Sequence, residues 1–155
     1  MLYTALTKKA LKLCFDAHRD QLDKSGLPYV FHPFHLAEQM DSENAVVLAL
    51  LHDVVEDTPY THEDLHRMGF PQPVLEALRL LTHDDAEPYE DYVARIASNP
   101  LARQVKLADL RHNSDTTRLD TMDEWAVARQ AKYLQAIQLL ENVPGTDTES
   151  RQSKR

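Results

Sequence analysis

Residues 45–51 form an uninterrupted apolar run that is followed at once by His52 and Asp53. A helix that is apolar on every side lies buried inside a domain. We therefore expect this segment to be the central helix of the fold. The imidazole and carboxylate at its end then need a partner, because burying an unpaired charge is costly.

The remainder of the chain shows helical periodicity and little that favours strands. Apolar side chains recur at three- and four-residue intervals, there is no convincing period-two alternation, and only three glycines are present. The expected helices are residues 4–18, residues 32–39, a helix capped by Asp41 or Ser42, a short helix opened by a capping box at Thr61, residues 73–81, residues 89–97, a helix from Pro100, and a last helix opened by a capping box at Thr121 and ending near Asn142. Residues 19–31 are expected to form a loop. The sequence thus predicts an all-α bundle of about seven to eight helices.

Length and composition favour one cytoplasmic domain. A chain of 155 residues falls within the usual size of one domain; we assign residues 1–143 to it and expect the polar segment 144–155 to be a disordered tail. Apolar runs fall short of the ~20 residues that span a bilayer. The single cysteine, Cys14, excludes an internal disulfide and a multi-cysteine metal site. The net charge of −8 argues against a nucleic-acid partner, since such proteins usually carry a basic excess.

The hexapeptide 52–57, His-Asp-Val-Val-Glu-Asp, is the strongest functional pattern in the chain. His52 and Glu56 are four residues apart, as are Asp53 and Asp57, so on one helix the four side chains would form a single polar stripe. An imidazole beside a carboxylate is a usual ligand pair for a divalent metal. Two carboxylates one turn later can orient water or transfer protons. A helix end with solvated charges is the simpler alternative, and the preceding apolar run argues against it.

Further ligands are expected from two other segments, because a metal site needs more than two ligands. His32 stands where the loop meets the second helix. Lys106, Asp109 and Asn113 lie at positions i−3, i and i+4 and therefore share one helix face. A carboxylate between an amine and an amide suits a metal and a phosphate, although a solvated polar face would have the same spacing.

Taken in chain order, His32, the His52-Asp53 pair and Asp109 resemble the ligand pattern of the HD phosphohydrolase superfamily. Within it, the chain is most similar to the hydrolase domain of RelA/SpoT-type proteins and to stand-alone small alarmone hydrolases. The similar segments are residues 18–21, 24–33, 51–58 and 106–113. They extend over most of the expected domain.

This resemblance implies an all-α fold that holds one Mn²⁺ ion and removes the 3′-pyrophosphate of guanosine 3′,5′-bis(diphosphate), a small phosphorylated nucleotide, with water that the metal activates. It implies that the metal ligands are His32, His52, Asp53 and Asp109, that Glu56 and Asp57 assist catalysis, and that Lys24 and Asn113 lie near the nucleotide. We add Lys106 as a second cation for phosphate and His18 as a further substrate-binding candidate.

Two departures from the family pattern leave the base of the nucleotide open. The family usually has Arg-Lys where this chain has Asp23-Lys24, and that arginine helps hold the guanine; an aspartate cannot stack or donate as arginine does. Where the family usually reads Arg-Leu-His-Asn-Met-Arg, this chain reads Leu-Arg-His-Asn-Ser-Asp over residues 110–115. A different phosphorylated nucleotide is therefore one alternative substrate. A non-catalytic nucleotide-binding HD module is an alternative function.

Overall fold

The structure, a computed structural model, describes residues 1–143, and the expected tail, residues 144–155, lies outside the described residues. The α-helices in the described range are α1 (Ala5–Ala17), α2 (Phe31–Glu38), α3 (Glu43–Leu51), α4 (Val54–Asp57), α5 (His62–Arg67), α6 (Gln72–Leu81), α7 (Tyr89–Ala97), α8 (Pro100–Asn113) and α9 (Glu124–Glu141), with one 3₁₀ turn at Thr116–Arg118. The β structure in this range is an isolated antiparallel bridge between Leu22 and Pro28. The predicted all-α fold is confirmed.

Helix α3 lies at the centre of the bundle, as the apolar run predicts. Residues 45–51 are fully buried, and α3 contacts α1, α2, α6 and α8. Each buried leucine contributes roughly 1.5–3 kcal/mol relative to an exposed side chain. Because α3 is surrounded by other helices, the residue that follows it, His52, is also buried.

The polar segment after α3 does not continue as one helix, so the predicted single stripe is wrong. Helix α3 ends at Leu51, and Asp53 adopts φ −109° and ψ 1° before α4 begins. His52 Nδ1 lies 2.7 Å from the carbonyl oxygen of Ala49 and donates to it. This bond holds the imidazole against α3 while the backbone turns away. The break is also why residues 1–143 contain one more short helix, α4, than the sequence predicts.

Side-chain caps set several of the helix starts. Ser42, one of the two predicted candidates, caps α3, and Thr61 forms the predicted capping box of α5. The predicted box at Thr121 is wrong, because Asp123 caps α9 instead. Aspartate is among the strongest N-cap residues, and its use moves the helix start two residues later.

Three helices meet where the functional pattern lies. Helices α2, α3 and α8 are in mutual contact, and they carry the predicted ligands at or near their ends. The α1–α2 loop, the 3₁₀ turn and α9 surround the space beside them. The fold therefore brings together residues that are far apart in the sequence.

Candidate active site

A cavity of about 790 Å³ lies beside the junction of α2, α3 and α8. One part of its lining, which we call the acidic wall, carries His32, Asp53, Glu56, Asp57 and Asn113. Another part, which we call the basic wall, carries Lys24, Arg118 and Arg129. Sites for small molecules usually measure about 300–1,000 Å³, so the volume suits a nucleotide.

Three predicted ligands come together at the base of the acidic wall. One nitrogen or oxygen from each of His32, His52 and Asp109 lies within 4.8 Å of the other two, a group found among residues 1–143. Nε2 of His32 lies 2.9 Å from Oδ1 of Asp109, and Nε2 of His52 lies 3.6 Å from the same oxygen. All three residues are at most 5% exposed. We call them the three-residue cluster.

The tautomer of His52 shows that the cluster fits a cation. Because Nδ1–H is donated to the Ala49 carbonyl, Nε2 carries a lone pair. Nε2 lies 3.1 Å from Oδ2 of Asp53 and 3.6 Å from Oδ1 of Asp109, yet it is buried without a hydrogen-bond partner. A lone pair that faces two carboxylates is satisfied by a proton or by a metal ion. Imidazole and carboxylate together form a donor set that divalent metals bind.

The pKa values in the cluster agree with this conclusion. Burial lowers the pKa of His52, but the carboxylates of Asp53 and Asp109 raise it, and the result lies well above the ordinary value. Burial raises the pKa of Asp53, but His52 lowers it to about 2. The two carboxylates therefore favour a positive charge between them, which a divalent cation would supply.

Asp53, the fourth predicted ligand, lies beside the three-residue cluster but is not part of it. Its carboxylate accepts a short hydrogen bond from the Tyr29 hydroxyl. The Tyr29 ring packs on His18 and His32, with centroids 4.8 and 5.6 Å away. Tyr29 therefore orients the Asp53 carboxylate next to the cluster.

A neighbouring histidine orients His32. The rings of His32 and His112 are nearly parallel, with 9° between their planes, and their Nδ1 atoms lie 2.6 Å apart. Nη1 of Arg118 also lies 3.3 Å from Nδ1 of His112, so that nitrogen is the acceptor and His32 Nδ1–H donates. Burial, then the charges of His32 and Arg118, lower the pKa of His112 to about 4. His32 therefore presents the lone pair of Nε2 to the cluster, as metal-binding histidines do.

Lys106 and Asn113 hold the carboxylate of Asp109, as their shared helix face predicts. Nζ of Lys106 donates to Oδ2 at 2.7 Å, and Nδ2 of Asn113 donates to Oδ1 at 2.9 Å. Burial raises the pKa of Asp109, but Lys106 and the two histidines bring it well below its usual range. Asn113 lines the cavity and Lys106 does not, so the charge of Lys106 acts on Asp109.

Glu56 and Asp57 line the cavity close to Asp53. Burial raises the pKa of both carboxyl groups. The carboxylate of Glu56 also accepts a short hydrogen bond from the backbone N–H of His83. That bond lowers the pKa of Glu56, but Asp53 and Asp57 raise it, and the sum stays above the ordinary value. A raised pKa suits a carboxylate that exchanges protons during catalysis.

Two further substrate-binding candidates differ in their exposure. Lys24 lines the basic wall, and burial, then the charges of Arg129 and Lys132, lower its pKa. His18 is only 1% exposed. It packs against Tyr29 and does not line the cavity, so any effect on a substrate passes through that ring.

Sequence reasoning gave no role at the site to Tyr29, His112 or Arg118. Tyr29 stands three residues before His32, and this closeness to a predicted ligand could have suggested a contact. The ring of His112 contacts that of His32, and the two residues are 80 apart in the chain. The contact between Arg118 and Asp23, 2.9 Å long, joins residues 95 apart in the chain. No local pattern in the sequence predicts this contact.

Comparison with known proteins points to one kind of hydrolase. No family model matches the chain. The guanosine-3′,5′-bis(diphosphate) 3′-pyrophosphohydrolase of Haemophilus influenzae is 37% identical over 117 residues, which cover 65% of this chain and 17% of that protein. The Danio rerio protein of the same name, MESH1, is 28% identical over 158 residues, which cover 93% of this chain and 87% of that protein. A solved structure, described as a metazoan ortholog of SpoT that hydrolyses ppGpp, matches with a TM-score of 0.74 and 26% identity over 96% of this chain and 90% of that chain.

The fold, the cluster and these similarities together support one class, that of the HD-type hydrolases. More particularly, the chain is similar to (p)ppGpp 3′-pyrophosphohydrolases. The chain spans only 17% of the Haemophilus protein and 18% of the Escherichia coli K12 bifunctional (p)ppGpp synthase/hydrolase SpoT, to which it is 32% identical over 124 residues. Within residues 1–143, no helix has the length and apolar character needed to cross a membrane.

Proposed function

We propose that the protein is a metal-dependent nucleotide pyrophosphohydrolase that acts on guanosine 3′,5′-bis(diphosphate). The observation that carries the proposal is the unpartnered Nε2 of His52, which faces two carboxylates at the base of a nucleotide-sized cavity. The substrate comes from the relatives, whose names describe this activity.

The proposed ligands of the ion are His32, His52, Asp53 and Asp109. Two imidazoles and two carboxylates bind several divalent metals, and the family resemblance selects Mn²⁺. A bound divalent ion polarises a phosphoryl oxygen and lowers the pKa of water. Tyr29 holds Asp53 and Lys106 holds Asp109, so both carboxylates are oriented by the protein itself.

Glu56 and Asp57 carry out the proton transfers of the proposed reaction. Water attacks the phosphorus that is bonded to the ribose 3′-oxygen, and the bond between that phosphorus and the 3′-oxygen breaks. The products are pyrophosphate and guanosine 5′-diphosphate. One carboxylate accepts the proton of the attacking water, and the other donates a proton to the 3′-oxygen. Their raised pKa values support both tasks.

Lys24 and Asn113 are the proposed direct contacts of the nucleotide, since both line the cavity. Lys106 and His18 act through Asp109 and Tyr29 respectively. We place the enzyme in the cytoplasm, with a small nucleotide rather than a nucleic acid as its partner. The net charge of −8 supports the second point.

The test is pyrophosphate release from guanosine 3′,5′-bis(diphosphate), with added Mn²⁺ and with a chelator, together with chromatographic identification of guanosine 5′-diphosphate. We expect release with Mn²⁺, none with the chelator and none from Asp53→Ala. The matched control, Asp91→Asn, removes an exposed carboxylate on α7 and should keep full activity. Release of single phosphates, or full activity with the chelator, would contradict the proposal.

Asp23 favours a second candidate, the same reaction on another phosphorylated nucleotide. It stands where the family places a base-binding arginine. The assay therefore also includes the adenosine and inosine bis(diphosphates). Faster release from the adenosine compound would favour the second candidate, and tight binding without any release would favour a non-catalytic module.

A further inference from the structure

We propose that Arg118, held in place by Asp23, binds the base of the nucleotide and selects a purine with a carbonyl at position 6. This inference rests on the proposed function and names the part of the substrate that the basic wall recognises. It starts from an ion pair that closes one side of the cavity. Nη2 of Arg118 lies 2.9 Å from Oδ2 of Asp23, and both residues line the cavity.

The guanidinium of Arg118 is fixed at several points. Besides the bond to Asp23, Nη1 donates to the carbonyl of His112 at 3.1 Å and lies 3.3 Å from Nδ1 of the same residue. Asp23 is itself fixed, because its Oδ1 accepts the backbone N–H groups of Ser25 and Leu27 at 2.9 and 3.0 Å. The pair thus joins the α1–α2 loop to the 3₁₀ turn and positions Arg118 before any ligand binds.

Donors remain on Arg118 after these contacts. A guanidinium has five N–H groups, and the contacts with Asp23 and His112 use the two on Nη1 and one on Nη2. The N–H of Nε and the second N–H of Nη2 are left. Nε and Nη2 are both bonded to Cζ, and these two nitrogens of an arginine can donate as a fork to two neighbouring acceptors.

The charges favour a base rather than a phosphate at this fork. Asp23 neutralises Arg118, whereas Lys24 and Arg129 on the same wall have no carboxylate partner among the ion pairs of residues 1–143. Phosphate groups are therefore better matched by Lys24 and Arg129. The neutralised arginine is better matched by uncharged acceptors.

The fork distinguishes between purines. Guanine and hypoxanthine, the base of inosine, each present two neighbouring acceptors, O6 and N7. Arginine binds these with two hydrogen bonds. Adenine presents N7 beside an amino group, which is a donor and repels the second N–H. The expected preference is therefore guanosine and inosine nucleotides over adenosine nucleotides.

Equilibrium binding of guanosine, inosine and adenosine 5′-diphosphates tests this directly, because none of them contains the bond that the proposed reaction cleaves. Calorimetry on the full chain with Mn²⁺ should show guanosine and inosine diphosphate bound about tenfold more tightly than adenosine diphosphate. In Arg118→Gln the three should differ by less than about twofold. Arg111→Gln is the matched control, since Arg111 pairs with Glu141 on the surface, and it should keep the wild-type ratio.

Asp23→Asn separates positioning from folding. The amide keeps an oxygen for the N–H groups of Ser25 and Leu27 but loses the charge that holds Arg118, so the ratio should fall while the thermal midpoint stays close to that of the wild type. Equal binding of the three diphosphates by the wild type, no measurable binding of any, or an unchanged ratio in Arg118→Gln would overturn the inference. Failure of the proposed function would appear separately, as absent pyrophosphate release with the base preference intact.

Discussion

The acidic wall and the basic wall of the cavity are held by different parts of the fold. The three-residue cluster beneath the acidic wall comes from packed helices and is at most 5% exposed. The basic wall comes from the α1–α2 loop, the 3₁₀ turn and α9, and the side chain of Arg118 is 22% exposed. The three-residue cluster proposed to hold the metal therefore belongs to the core, whereas Asp23 and Arg118, proposed to choose the base, lie on connecting segments. Such segments accept substitutions more readily than a core does.

The largest expected effect comes from Asp109→Asn, which should damage activity and stability together. Activity should fall at least about a thousandfold, because the metal site loses a charged ligand. Stability should fall by about 3 kcal/mol, because Lys106 keeps a charge inside the protein without its partner. Metal content, pyrophosphate release and chemical denaturation measure the three consequences.

The double variant Asp109→Asn/Lys106→Met separates these consequences. Removing the unpaired charge should recover most of the lost stability and none of the activity. If the double variant regained activity, Asp109 would not be a metal ligand. The claim that the metal site beneath the acidic wall belongs to the core would then be contradicted.

Glu56→Gln should lower kcat by roughly 10²–10⁴-fold, the usual range for a lost acid–base group, with the metal still bound. The pH profile gives a second measurement. With Glu56 as the carboxylate that accepts the proton of the attacking water, its base form is the active one, and activity should fall as the pH drops through its pKa, which lies above the ordinary value. This acid limb should disappear in Glu56→Gln. A variant with wild-type kcat would show that Glu56 is only part of the cavity lining.

His112→Leu should weaken metal binding by about 10- to 100-fold, the usual cost of losing a hydrogen bond to a metal-binding histidine. The variant has no acceptor for Nδ1–H of His32. His112→Gln offers an amide oxygen and should recover part of the affinity, which a purely structural role would not predict. His66→Leu, on the exposed face of α5, is the control, and equal loss in all three variants would argue against a specific role.

The smallest effect concerns the basic wall, where Asp23→Arg should reduce base preference and leave the metal site intact. From the family pattern alone, this substitution would be expected to restore the arginine that helps hold the guanine. The structure predicts the opposite, because two guanidinium groups would replace the ion pair with Arg118. Preference for guanosine over adenosine diphosphate should fall several-fold and return in part in the Asp23→Arg/Arg118→Asp exchange. An improved preference in the single variant would mean that position 23 reads the base itself.

The acidic wall could be predicted from the sequence because its pattern is local. The run 45–51 identifies the buried helix, and the residues after it require partners for physical reasons. The Lys106–Asp109–Asn113 face follows from helix geometry alone. The break at His52 and Asp53 could not be predicted, since it accompanies contacts with Tyr29 and Asp109 from other elements.

The basic wall was beyond prediction for a different reason. Lys24 was expected from resemblance, but the pairing of Asp23 with Arg118 depends on how the 3₁₀ turn meets the α1–α2 loop. The sequence shows only the loss of an arginine at position 23. The structure shows that another arginine, Arg118, lines the same cavity and pairs with Asp23.

The most direct test of the central claim is to remove metal from the protein with a chelator and then titrate it with Mn²⁺. Bound metal and pyrophosphate release from guanosine 3′,5′-bis(diphosphate) are measured in the same samples. The account predicts that activity rises in proportion to bound metal and reaches its maximum at one ion per chain. In Asp53→Ala, neither metal binding nor activity should rise. Full activity before any metal binds, or one tightly bound ion per chain with no release, would contradict it.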